Sequence, residues 1–225
     1  MPGYYIHLAA CGNQSLENQR FKFGVLAPDY FKKLFKLFGG IDSARLHYST
    51  IRKGDTTEFD ELEHRIQQKE QINSSEGLHF GLSSQPNVRA FWNSLTETQK
   101  KNPFYRGYAW HLLTDAIIYG RLNIDARFQN VLDEYRGSLN IDELRKQEAK
   151  RLHEDWDKTN ALVRDTYPGI SLPDEIKELG VVQFITGTPF YVDWSVLKST
   201  IDYLRTFDPI NGDMEKIIEK VLSNI

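Results

Sequence analysis

The stretch from Pro103 to Tyr119 reads as one helix that is apolar on almost every side. Pro103 suits the first helical position, where its missing N–H would go unpaired in any case. A helix that is apolar all round belongs in the middle of a fold, so the rest of the chain has to pack around this one. Two polar residues interrupt its surface, His111 and Asp115. Four apart, they share a face, with Cβ atoms about 6 Å from one another. A buried carboxylate costs free energy unless its charge is compensated. In one reading an imidazole on the next turn compensates it, as a hydrogen-bonded pair inside a core. In the other a metal ion does so.

The flanking sequence supplies more helices. Tyr4 to Ala10 is a short apolar segment. A helix is expected from Ser15 to Ala27, and a turn at Pro28, because proline disfavours helix at the residue before it. Asp29 then begins a helix over Tyr30 to Phe38. Further helices are expected over 42–48, 57–70 and 87–95, with a Ser/Gly/Asn-rich loop over 71–86. After the central helix come Asp125 to Tyr135 and a long amphipathic helix from Asp142 to Thr166. Val181 to Ile185 and Phe190 to Trp194 are β-prone runs around Thr186-Gly-Thr-Pro189 and predict a small hairpin. Helices over Trp194 to Thr206 and Asp213 to Ser223 close the chain. The expectation is a mainly α protein, with a helical metal-site domain over 1–168 and a hairpin plus two helices over 169–225 packed on it.

Charge and cysteine content narrow the function classes. The formal net charge is −3, which gives no electrostatic basis for binding nucleic acid. Cys11 is the single cysteine, so no intrachain disulfide and no zinc-finger spacing is possible. Leu8-Ala-Ala-Cys11 resembles a lipoprotein cleavage box. No basic residue precedes it and His7 interrupts the apolar run, so the expected location is the cytoplasm. No apolar run reaches the length of about 20 residues that a transmembrane helix needs.

The remaining histidines decide between the two readings of His111 and Asp115. His47 and His64 lie in polar segments. His7 lies in the apolar first segment, and His79 in the glycine-flanked run Gly77-Leu-His-Phe-Gly81. His153 and Asp157 repeat the four-residue His–Asp spacing on the long helix. Two helices that each carry such a pair can hold ions between them. Asp29, at the Pro–Asp step, is placed to join them.

The order of these groups resembles the zinc-dependent phospholipase C family, an all-helical family related to the S1/P1 nucleases. The resemblance runs over roughly residues 1–165. It rests on Tyr4-Tyr-Ile-His7, Gly24-Val-Leu-Ala-Pro-Asp29, His79, Gly107-Tyr-Ala-Trp-His111-Leu-Leu-Thr-Asp115 and His153-x-x-x-Asp157. It implies a multi-helix phospholipase C/P1 nuclease-like bundle. It also implies that His7, Asp29, His79, His111, Asp115, His153 and Asp157 are metal ligands. Asp115 would be placed to bridge two ions, and Asp29 would double as the catalytic base. The family has a further histidine between its two paired helices. This chain has none between His111 and His153, so one or two ions rather than three are expected.

The function that follows is a metal-dependent hydrolase of phosphate esters. Zn²⁺ suits His and carboxylate ligands, and Mn²⁺ or Fe²⁺ are possible with the same set. The ion would activate water as the nucleophile. The substrate would be a small phosphate ester or a phospholipid, with Tyr4, Tyr5 and Tyr108 lining its pocket. The rival expectation is a non-catalytic helical binding or structural protein that retains a partial metal site.

Overall fold

The computed structural model describes residues 3–37, 88–134, 140–178 and 182–225. Among these residues the chain is helical and has no strand. In chain order the helices are α1 (Tyr4–Ala9), α2 (Asn13–Leu16), α3 (Gln19–Leu37), α4 (Val88–Ser94), α5 (Glu97–Lys101) and α6 (Pro103–Leu122). They continue with α7 (Ile124–Glu134), α8 (Ile141–Thr166), α9 (Asp174–Glu178), α10 (Trp194–Leu204) and α11 (Met214–Leu222). The helices expected over 42–48 and 57–70, and the loop over 71–86, lie outside the described residues. No described helix is long and apolar enough to cross a membrane.

α6 is the central element. It begins as its sequence directs, with Pro103 in the first turn and the Asn102 side chain accepting from the Phe104 amide at 3.0 Å. It ends at Asn123, which takes a left-handed conformation with φ 49° and is a residue that tolerates it. From Gly107 to Ile118 every residue of α6 is buried. α3, α4, α5, α7, α10 and α11 all pack on it, and α3 does so most extensively. The apolar faces of α10 and α11 join the same core, through Leu197, Ile201, Leu204, Ile217 and Val221.

The contact between α3 and α6 is a backbone-to-backbone crossing. A Cβ added at Gly24 would sit 2.0 Å from the Phe104 carbonyl oxygen, and one at Gly107 would sit 2.2 Å from that of Phe21. Each helix thus has a glycine where the other passes, and no other residue fits without separating them.

Three expectations need correction. α3 runs straight through Pro28, where a turn was expected. Pro28 removes only the amide that would reach Gly24, and the packing of α3 on α6 outweighs that local loss. The helix expected from Ser15 is broken instead at Glu17-Asn18, and the Asn18 side chain accepts from the Phe21 amide at 3.0 Å as the new N-terminal cap. The expected hairpin is absent among the described residues 182–193, which are irregular. Their backbone donors go to α8 rather than to a partner strand. Ile185 N donates to the Asp157 carbonyl at 3.4 Å, while Phe190 N and Tyr191 N donate to the Asp155 carboxylate at 2.7 and 2.6 Å.

Two arginines tie the C-terminal helices down. Arg205 donates to the carbonyls of Ala9 at 2.8 Å and Cys11 at 2.9 Å, closing the end of α1. Arg106 donates to the carbonyls of Pro209 and Gly212 in the loop between α10 and α11.

Candidate metal centre

Three helices bring the site together. α1 is buried along its whole length, which points His7 inward with no exposed surface. α6 contributes His111 and Asp115, 0% and 1% exposed. α3 contributes Asp29, whose side chain is 12% exposed. His7 Nε2 lies 3.3 Å from Asp115 Oδ1 and 3.9 Å from Asp29 Oδ2. His111 Nε2 lies 3.5 Å from Asp115 Oδ2. The two imidazoles stack, with centroids 3.7 Å apart and planes inclined by 17°.

The glycine crossing orients His111. With α3 and α6 in backbone contact, the Val25 carbonyl reaches His111 Nδ1 at 2.7 Å. A carbonyl only accepts, so Nδ1 carries a proton. Nε2 is then the ring nitrogen that faces Asp115 Oδ2, at 3.5 Å. A second partner that fixes the tautomer in this way is the usual accompaniment of a metal-ligating histidine.

Burial by itself would lower the His111 pKa. The Asp115 carboxylate outweighs it by charge and by hydrogen bonding, with Asp29 and the Val25 carbonyl adding to the effect, and the net shift is upward.

The donor set fits a transition-metal ion. Ligand atoms of His7, His111 and Asp115 all lie within 4.8 Å of one another. A tetrahedral ion with bonds of about 2.0–2.2 Å needs ligands roughly 3.3–3.6 Å apart. Each imidazole Nε2 lies within that range of one Asp115 oxygen, His7 at 3.3 Å from Oδ1 and His111 at 3.5 Å from Oδ2. The two imidazoles face different oxygens of Asp115.

The other candidate ligands are placed differently. His153 is exposed on α8 and Asp157 is half-buried. Neither belongs to the group of His7, His111 and Asp115. His79 lies outside the described residues. The tyrosines considered for substrate are buried. Tyr5 meets Phe184 edge-on at 5.1 Å, Tyr108 stacks on Phe91 at 4.8 Å, and Tyr4 is 5% exposed in the core.

Sequence reasoning missed two groups. One is the Val25 carbonyl, for which the signal was a glycine in each of two helices that also carry candidate ligands. The other is Asp155, fully buried, which holds the 182–193 segment and the Lys158 ammonium at 3.1 Å. The stripe Leu152, Trp156, Thr159 and Val163 runs along the buried face of α8 at helical spacing. Position 155 falls on that face, and 153 falls off it. No family model, no curated protein and no solved structure matches this chain.

Proposed function

We propose that this chain is a metal-dependent phosphoesterase, a phospholipase C-like hydrolase acting on small phosphate esters or phospholipids. One observation carries the reading. His7, His111 and Asp115 come from two helices and meet in one buried group whose ligand atoms lie within 4.8 Å of one another, with Asp29 of a third helix 3.9 Å from His7. A core that needed only to satisfy one His–Asp pair would not gather a second imidazole and a second carboxylate around it. Bound there, Zn²⁺, or Mn²⁺ or Fe²⁺ in its place, supplies a Lewis acid for a phosphoryl oxygen and lowers the pKa of water towards ~7.

The protein groups divide the remaining work. His7, His111 and Asp115 would hold the ion, and the Val25 carbonyl, 2.7 Å from His111 Nδ1, fixes the orientation of that ring. Asp29 is the most exposed member of the group. It is the carboxylate that accepts the proton of the attacking water and orients that water for displacement of the leaving alcohol.

The test starts with protein purified without chelator or affinity-column metal. Elemental analysis is expected to find one or two equivalents of Zn, Mn or Fe, lost in Asp115→Asn and His111→Ala while the helical circular dichroism persists. Asp29→Asn is expected to abolish hydrolysis of a chromogenic phosphodiester. Metal-free protein that neither takes up Zn²⁺ nor gains thermal stability from it would sink the reading.

A second reading has its own observation. All three of His7, His111 and Asp115 have at most 1% of their surface exposed. An ion so enclosed can serve the fold of a non-catalytic helical binding or structural protein. That reading expects bound metal, a large loss of stability on chelation, and no hydrolysis of phosphodiester or phospholipid.

A further inference from the structure

α1 carries His7 but is too short to hold itself. It has six residues, fewer than an isolated helix needs to persist in water. The last carbonyls of a helix have no partner within it. Ala9, Ala10 and Cys11 are fully buried, so solvent does not supply the missing donors. They come instead from α10. One terminal nitrogen of Arg205 donates to the Ala9 carbonyl at 2.8 Å and to that of Cys11 at 2.9 Å, and the other donates to Asn13 Oδ1 at 2.9 Å. All three acceptors are neutral oxygens of the segment that follows His7. The rigid fork of donors on a guanidinium suits such a grip. Cys11 links it back to the ligand, because its Sγ donates to the His7 carbonyl at 3.3 Å. At the other end of α1, Gly3 abuts Asn160 of α8, where a Cβ would sit 2.9 Å from Asn160 Oδ1. α1 is thus located at both ends by residues of the C-terminal half.

We propose that Arg205 is a positioning residue for the metal centre: by holding the Ala9 and Cys11 carbonyls it fixes how α1 docks, and so keeps the His7 imidazole against His111 and Asp115. His111 and Asp115 share α6, and their relative placement does not depend on α1. His7 comes from a separate element. Its ring lies 3.7 Å from that of His111, centroid to centroid, and its Nε2 is 3.3 Å from Asp115 Oδ1. A slide of α1 by about 1 Å takes that nitrogen out of the separation a tetrahedral ion needs. For its effect on ion binding the inference rests on the metal reading above. It gives the C-terminal helices a share in a centre whose grouped ligands come from α1 and α6.

Arg205→Gln is the test and Arg106→Gln its control, because Arg106 also grips two carbonyls, of Pro209 and Gly212, but away from α1. Zn²⁺ affinity is measured by competition with a chromophoric chelator, on variants that circular dichroism shows to be folded. Arg205→Gln should weaken binding roughly tenfold, the low end for losing a group that orients a ligand. Arg106→Gln should leave it unchanged, even where it lowers the urea midpoint as much. In a His7→Ala background, Arg205→Gln should alter affinity by less than about twofold, since the ligand it positions is gone. Metal-free protein supplies a second readout. Stacking shifts the carbon-bound ring protons of His7 and His111 upfield, and Arg205→Gln should relax that shift. The signals are assigned by their loss in His7→Ala and His111→Ala. Arg205→Lys, which keeps the charge without the fork, repeats each measurement in case glutamine prevents folding. Equal losses in the Arg205 and Arg106 variants, or an Arg205 effect that persists in full without His7, overturn the proposal. So does an unchanged affinity and ring shift, or a failure of both Arg205 variants to fold. If the parent takes up no Zn²⁺, the metal reading fails, while the ring shift still decides whether Arg205 places His7.

Discussion

Asp115→Asn in metal-free protein tests the electrostatics of the site with a sign as well as a size. Asn keeps the volume and removes the charge. At low pH Asp115 faces two imidazoles, at 3.3 and 3.5 Å. The charge-assisted His111–Asp115 hydrogen bond, worth about 1.5–3 kcal/mol, becomes a neutral one of about 0.5–1.5, so the variant loses roughly 1–1.5 kcal/mol. For a chain of this size that is a Tm lower by roughly 2–6 °C. The pH dependence follows from His111. Its folded pKa is raised above the ordinary ~6.5, so its stabilising contribution is full below ~6.5 and is lost as pH rises through the folded value. In the variant the main raising influence is gone and burial, which lowers the pKa, prevails. Protonation of His111 then opposes folding, and the deficit is greatest in acid. In alkali the neutral His111 keeps its proton on Nδ1, so Nε2 and Asp115 Oδ2 are two acceptors facing at 3.5 Å. An Asn amide can donate there, and the deficit should approach zero. Urea unfolding in EDTA across this range reads the difference. A deficit that is independent of pH, or that grows with pH, refutes the argument.

Two further outcomes are expected away from the centre. Asp155→Ala strands the Phe190 and Tyr191 amides and the Lys158 ammonium inside the protein. It should cost roughly 3–5 kcal/mol in urea unfolding and abolish hydrogen-exchange protection of those two amides first. Cys11 is fully buried, burial pushes its thiol well above the ordinary range, and its Sγ donates to the His7 carbonyl at 3.3 Å. Iodoacetamide should therefore label it only at the rate at which the fold opens, and fast labelling of native protein would contradict that packing.

The helical character and the central place of α6 could be read from the chain because both depend on local pattern. Apolar residues on nearly every side of Pro103–Leu122 require burial whatever the partners are. The same holds for α10 and α11, whose caps Asp193 and Asp213 accept from the first-turn amides. The misreadings lie where a tertiary contact overrides a local preference. Pro28 argued for a turn, yet the glycine crossing holds the helix together through it. The runs Val182–Ile185 and Phe190–Trp194 have the composition of strands. The buried Asp155 carboxylate on α8 takes the Phe190 and Tyr191 amides of the second run, and the Asp157 carbonyl takes that of Ile185 in the first. The His153 and Asp157 spacing copied that of His111 and Asp115, but spacing alone does not say which face of α8 is covered.

The charge count of the centre explains how one arrangement of side chains can serve either reading. His7, Asp29, His111 and Asp115 supply two imidazoles and two carboxylates to a small, largely buried volume. Two negative charges cannot stay there uncompensated, since the cost of an unpaired buried ion is several kcal/mol. Neutrality has two routes. Both imidazoles can carry a proton, or both can be neutral around one divalent ion. These states exchange two protons for one cation, so acid favours the first and alkali the second. The Val25 contact biases the exchange. It reserves Nδ1 of His111 for a proton in both states, so only Nε2 has to change partners. Stacking holds the second imidazole, His7, against the His111 ring. On the proposed reading, an ion would take the place of those protons with little reorganisation of the side chains.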